Sequence, residues 1–464
     1  MFNFNCWNVI IFFLSLLYLN SANAGWYDHD PVPVQQTSAS KTNHNDRGIR
    51  RIVRINGTTI CLADGVNNNG SHEGVYRSFN NGVNWTLIAD KDYCNRGTII
   101  TGPNEMVYIF WISKEVNPGI YLSKFNYLET PPPASPIYQG YVRSVGAGGG
   151  YQDISAAVDS SGTIYFCAHY APTDGEVDRI WLLKSYDGGN TWTNPQVVAY
   201  EAGTSFAYPS LEVDHDGDLI LCFAEHAEVY LGGRSDINKR IYFMKSANEG
   251  ETWGPRIQVD RPAGPFGVIN PCILEDQQNN LYIFAQRHLV NFGLVMAKSF
   301  DGGSTWSGFN TIIPTSMYAD PSAAIAQDGK IYVTYRDDLL CGDTSPEIWR
   351  NCMAQSTDGG NTWSMVDNYC GEADVGPAGS VHYANWWNYG GPIEWCWEQY
   401  LSSNRNLRPV YYDINSEVLI WDRINHTPVT RSDIERNINN YKNNPDSLNK
   451  SKVLNSIKKY LNGK

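Results

Sequence analysis

Arginines and carboxylates stand at the edges of short apolar runs along this chain. Arg50 and Arg51 precede one such run, and Arg287 and Arg336 each end one, where a neutral residue would pack better. Arg350 sits beside another run, and Arg96, Asp153, Asp320 and Tyr383 stand at run starts. Glu73, His169, Glu225, His226, His288, Asp337 and Asp338 occupy run ends or the loops after them. Several guanidinium forks and carboxylates on one concave surface would suit an anionic carbohydrate and acid/base work on it. Taken singly, each charge is as readily explained by solvation or by a weak surface pair. The set can act together only if the fold gathers it on one face.

A repeated turn sets that fold. SYDGGNTW (Ser185 to Trp192), SANEGETW (Ser246 to Trp253), SFDGGSTW (Ser299 to Trp306) and STDGGNTW (Ser356 to Trp363) are copies of one motif, and SFNNGVNW (Ser78 to Trp85) is a decayed one. A further copy has been lost near Ser123 to Asn126. In each, an aspartate can accept N–H bonds across a tight turn, glycine supplies positive φ, and tryptophan packs beneath. A carboxylate held by turn amides is a poor acid or base, so Asp187, Asp301 and Asp358 are read as structural.

Upstream of each motif an apolar run, a polar turn and a second apolar run predict a hairpin. These hairpins fall at Arg51 to Ala63, Thr98 to Ile112, Ile154 to His169, Pro209 to Glu225, Pro271 to Arg287, Pro321 to Arg336 and, more weakly, Val381 to Trp397. Such repeats predict an all-β protein, a β-propeller of four-stranded blades. Seven hairpins imply seven blades; the alternative is that the last hairpin, which has no motif behind it, closes a six-bladed ring. The first strand of a blade starts, and the second ends, on the face opposite the repeated turns, so that face would collect the charged positions.

The motif resembles the Asp-box, or BNR, repeat of sialidases and related β-propellers. That resemblance implies three arginines on the substrate carboxylate, a tyrosine nucleophile and an acid/base carboxylate, a departure from the usual two-carboxylate glycosidase scheme. On the matching positions, Arg51 of Arg51-Ile52-Val53, Arg287 and Arg350 are the arginines and Tyr383 is the nucleophile; by its place at a run end, Arg336 is the alternative to Arg350. The family's acid/base aspartate is missing from Ala63-Asp64-Gly65-Val66, and Glu73 is its replacement. The resemblance thus implies a glycoside hydrolase of exo-sialidase type acting on acidic oligo- or polysaccharides. Two other readings stand beside it. One is a polysaccharide lyase using His169, His226 or His288 as base with an arginine neutralising a uronate. The other is a non-catalytic glycan-binding propeller stacking sugars on Tyr383, Trp386, Trp387 and Tyr389.

The ends and the composition place the protein. Among 464 residues, 42% are hydrophobic and 18% charged, which suits a large packed core. Residues 1–24 carry no charge, run apolar from Val9 to Leu19 and end in Ala22-Asn23-Ala24, the pattern of a cleaved signal peptide and hence of secretion. No later apolar run is long enough for a membrane span. After a lead segment, 25–48, the propeller is expected over 49–425. The tail, 426–464, is basic and predicts a short amphipathic helix through Leu448, Val453, Leu454, Ile457, Tyr460 and Leu461. The acidic remainder argues against nucleic acid as partner. No cysteine or histidine spacing suggests a metal, and no cofactor is expected. Cys167, Cys222 and Cys272 fall in apolar strand patterns as buried thiols, whereas Cys341 and Cys352 flank a loop and are the candidate disulfide.

Overall fold

A computed structural model describes residues 32–33, 52–64, 72–79, 84–92, 94–113, 119–139, 154–170, 177–226, 240–259, 267–288, 293–314, 321–326, 329–337, 349–373, 380–381, 393–401, 406–414, 420–421 and 428–429. The signal segment and the expected tail helix lie outside these residues; of the tail, Pro428–Val429 is described, a strand paired with Ile420–Trp421.

Six consecutive antiparallel sheets of four strands each form the blades. Blade 1 consists of Ile52–Ile55, Thr58–Asp64, His72–Ser78 and Thr86–Asp92. Blade 2 runs through Cys94–Gly102, Met106–Ser113, Gly119–Asn126 and Ser135–Gln139. Blade 3 follows with Ile154–Val158, Ile164–Tyr170, Arg179–Ser185 and Gln196–Ala199. Blade 4 is Ser205–Val213, Leu219–His226, Ile241–Ser246 and Ile257–Gln258. Blade 5 is Gly267–Glu275, Leu281–His288, Gly293–Ser299 and Asn310–Pro314. Blade 6 is Ser322–Ile325, Ile331–Asp337, Trp349–Ser356 and Ser364–Ala373. From blade 1 to blade 6, the first strand of each blade touches the first strand of the next, so these strands are innermost.

The expectation of seven equivalent blades is corrected to six. The last hairpin contributes only Ser380–Val381 as its first strand, followed by Ile393–Leu401 and Asn406–Ile414. The outer position beside them is taken by Val32–Pro33 from the other end of the chain. This sheet is of a different build, carries no Asp-box, and lies between blade 6 and blade 1.

The apolar strands bury their side chains in the seams between blades, because each sheet packs through both faces and each face takes alternate residues. Ile283 and Ala285 join the blade 4–5 core, whereas Tyr282 and Phe284 join the blade 5–6 core. Each Asp-box tryptophan is half-buried and seals the seam behind it. Trp192 meets Phe110 of blade 2 edge-on, Trp306 meets Phe243 of blade 4, and Trp363 meets Phe284 of blade 5. Such aromatic pairs contribute about 0.5–1.5 kcal/mol each beyond their area.

Inside the turn, Asp358 Oδ1 accepts from the Thr362 and Asn361 backbone N–H groups at 2.9 and 3.0 Å and Oδ2 from the Thr362 hydroxyl. Those bonds hold the carboxyl well below the usual carboxylate range, as the Thr191 contacts do for Asp187. A cation on the third strand then fastens the turn of the next blade. Arg77 donates to the Tyr127 and Glu129 carbonyls, Lys124 to the Gly188 carbonyl and Asn190, Lys184 to Glu251, and Lys298 to Asn361. Cys167 and Cys222 are buried free thiols, and Cys272 and Cys352 are also buried; Cys341 lies outside the described residues.

Candidate functional site

Strand direction divides each blade into two ends. The second strand begins opposite the end of the third, as in Ile164 opposite Ser185, which places the first turn of a blade beside its Asp-box. At the other end first strands begin, second strands finish and third strands begin. Glu73 pairs with Asp64 there in blade 1, Arg287 with Gly293 in blade 5, and Arg336 and Asp337 with Asn351 and Arg350 in blade 6. Strand register therefore places Glu73, Arg287, Arg336 and Arg350 at the same end of their blades. The side chains of Glu73, Arg336 and Arg350 are outside the described set, as are Arg51 and Tyr383 altogether; Arg51 immediately precedes the first strand of blade 1.

Arg287 is the arginine whose side chain is described, and it reaches outward. Its guanidinium donates to Thr311 Oγ1 at 2.8 Å and to the Phe309 carbonyl at 3.5 Å, both at the outer strand of blade 5. To get there it crosses the third strand opposite Gly293, where a Cβ would sit 2.9 Å from both Thr311 Cγ2 and the Ile313 oxygen. The missing side chain leaves the path open. Burial lowers the guanidinium from its ordinary value.

The structure adds a pair that the sequence alone did not reveal. His169 Nε2 lies 3.0 Å from Asp178 Oδ2, with the two side chains 4% and 7% exposed. The Asp178 N–H donates to Ser205 Oγ and its carbonyl accepts from the Phe206 N–H, so the pair is pinned at the blade 3–4 seam. A carboxylate beside an imidazole is a pairing that general-base chemistry uses. Nearby, Tyr170 stacks on Trp181 at 3.8 Å and Tyr138 meets Trp181 edge-on at 5.4 Å. Asp178 lies only nine positions from His169, but its loop carries no repeat signal; docking on the next blade is what gives it a partner.

A second buried polar pair lies in blade 5, where Asn270 Nδ2 donates to Gln286 Oε1 at 3.2 Å. Its one signal in the sequence is Asn270-Pro271, which matches Tyr208-Pro209 of blade 4. Asp214, Asp216 and Asp218 cluster on the Asp-box side, where Lys245 Nζ meets Asp214 at 2.7 Å and Asp218 at 3.0 Å. Lysine thus supplies the cation that this turn needs.

Residues 163–378 match the model of the BNR repeat-like domain. That stretch is BNR-repeat-like, and the consecutive four-stranded sheets are those of a β-propeller. The sequence resemblance to Asp-box propellers is borne out at the level of the repeat and the fold. Among solved structures, this propeller is similar to a polysaccharide lyase of family PL25, an ulvan lyase bound to -[GlcA(1-4)Rha3S]-, with TM-score 0.55 and 11% identity over 82% of this chain and 98% of that one. It is also similar to a protein of unknown function from Dyadobacter fermentans, with TM-score 0.50 and 12% identity over 69% and 95% of the two chains. A sialidase from Trypanosoma rangeli in complex with sialic acid superposes with TM-score 0.44 at 14% identity, over 82% and 57%. No functionally curated sequence matches the chain. Among the described residues no helix is long and apolar enough to cross a membrane.

Proposed function

We propose that this BNR-repeat propeller is a secreted protein that takes an acidic glycan at the blade ends opposite the Asp-box turns and hydrolyses it in the sialidase manner. The observation that carries the reading is the strand register that sets Glu73, Arg287, Arg336 and Arg350 at one end of their blades. In this reading Arg51, Arg336 and Arg350 hold the sugar carboxylate through bidentate forks, and Arg287 contributes from the outer side of blade 5. Tyr383 attacks the anomeric carbon as its phenolic proton passes to solvent, Glu73 protonates the leaving oxygen as the glycosidic bond breaks, and Glu73 then deprotonates the water that releases the sugar and restores the tyrosine. A neutral nucleophile avoids the repulsion that a carboxylate would meet beside an anionic sugar.

A second reading, elimination by a propeller lyase, is favoured by the His169–Asp178 pair at the same blade ends. There the imidazole would take the proton next to a uronate carboxylate while an arginine neutralises the charge that develops, and a tyrosine would protonate the oxygen that departs as the double bond forms. Incubating the purified protein with sialosides and with uronate-containing polysaccharides separates the two. Saturated reducing products support hydrolysis, and unsaturated uronate ends support elimination. Failure to bind or turn over any acidic glycan overturns the proposal.

A further inference from the structure

The inner strand of blade 5 carries a bulge. Pairing with the second strand shifts between Ile269 and Cys272, leaving Asn270 and Pro271 out of the ladder. Asn270 stands at φ 55°, a left-handed backbone just before a proline, where the chain is normally pushed to extended conformations. Tyr208 makes the equivalent bulge in blade 4 at φ 58°, but its ring packs against the blade 4–5 core, which accounts for it. Asn270 turns its side chain to Gln286 instead, and both residues are buried, at 2% and 0% exposure. Gln286 accepts through Oε1, yet its Nε2 has no hydrogen-bond partner among the described residues. By strand alternation Gln286 faces the same way as Tyr282 and Phe284, into the blade 5–6 seam that Tyr335 lines from the other side. It enters that seam near the end where the glycan is proposed to bind, next to an innermost strand.

A fully buried amide donor without a partner is rare in native proteins and calls for an explanation, and locally strained backbone tends to collect where a ligand is held. We propose that Asn270 and Gln286 form a sugar subsite in the blade 5–6 seam, towards the blade ends opposite the Asp-box turns, in which Gln286 Nε2 donates to an oxygen of the bound glycan. Asn270 fixes the amide so that its donor is already oriented before the ligand arrives. This inference rests on the glycan-binding reading above. A hydroxyl and a carboxylate oxygen share the acceptor chemistry the site requires, and the test distinguishes them.

The test is the double substitution Asn270→Gly with Gln286→Met, which relaxes the left-handed backbone at 270 and removes both polar partners, methionine keeping the bulk of Gln286. Binding is titrated with sialyllactose and an oligoglucuronate, each beside its carboxyl-reduced form, and the melting midpoint is measured in parallel. The expected result is about tenfold weaker binding with an unchanged or raised midpoint. Weakening with both the acidic and the reduced probes identifies a hydroxyl as the partner; weakening with the acidic probes alone identifies the carboxylate. Parent-like affinity overturns the subsite. If the parent itself binds none of the probes, the functional reading falls and the midpoint decides: an unchanged or raised value keeps the amide pair as a site the fold does not need, and a lowered one overturns it. A double variant that fails to fold overturns it as well.

Discussion

His215 Nδ1 lies 2.7 Å from Glu275 Oε2, and the same oxygen accepts the His215 backbone N–H at 2.7 Å, so one carboxylate of blade 5 fastens the first turn of blade 4. Elsewhere a third-strand lysine or arginine does this work, but Lys245 of blade 4 is turned back onto Asp214 and Asp218 of its own blade. The blade 4–5 seam therefore adds to its apolar core a carboxylate of blade 5 that is held by a turn of blade 4.

Burial raises Glu275 above its ordinary value, while the His215 contacts pull the other way. A raised carboxyl contributes stability that is present below its unfolded pKa and lost as pH rises through the folded one. His215→Ala removes the ring that opposes this loss. Its stability should fall by about 1.5–3 kcal/mol at neutral pH, and the deficit should close as pH approaches about 4. Urea unfolding at a series of pH values measures it, and a deficit that does not change with pH would contradict the assignment.

The paired glycines of an Asp-box differ sharply in what surrounds them. A Cβ on Gly303, at φ 90°, would sit 2.1 Å from the Phe243 ring of blade 4, whereas one on Gly302, at φ 67°, meets nothing within 4 Å. Gly302→Ala should cost only the left-handed backbone, about 1–2 kcal/mol. Gly303→Ala adds overpacking and should cost about 2–5 kcal/mol. Equal losses in the two variants would show that the seam yields to the added methyl.

The Asp-box carboxyls make a separate prediction in acid. Asp187, Asp301 and Asp358 are all lowered by bonds from turn donors, Thr191, Thr305 and Thr362 foremost. A lowered carboxyl stabilises the fold above its unfolded pKa, and that contribution disappears as pH falls towards the folded value. Blade 4 already carries Asn248, whose Oδ1 accepts from the Thr252 N–H and whose Nδ2 donates to the Thr252 hydroxyl. Replacing the three aspartates with asparagine should therefore flatten the fall in melting midpoint below about pH 4, with activity at neutral pH retained. Loss of turnover in a folded triple variant would make these residues catalytic instead.

On the proposed glycan face, Arg350→Ala or Arg336→Ala should weaken binding of an acidic glycan tenfold or more, since a charge-assisted contact contributes about 1.5–3 kcal/mol. Lysine at either position should not restore it, because an ammonium lacks the fork. Tyr383→Phe should abolish hydrolysis while binding persists, whereas His169→Gln should abolish elimination if that is the reaction. Variants of all four residues that bind and act like the parent would remove this face from function.

The repeat and much of the fold were legible in local sequence because a four-stranded blade is a local object. Asp187 and Gly188 make their turn with residues at most four positions away, and Ile154 to His169 pairs with itself across a short loop. The blade ends carrying Glu73, Arg287, Arg336 and Arg350 follow from strand direction in the same way. Only the tertiary structure decided what crosses a seam or closes the ring. Val32–Pro33 finds its partners at Val410 and Tyr411, at the far end of the chain, so the blade count could not be read from hairpins alone. Arg287 turns outward because Gly293 and Thr311 stand where they do, and Glu275 meets His215 across 60 positions. Such contacts depend on which strands the closed propeller brings side by side, and no local period in the residues records that.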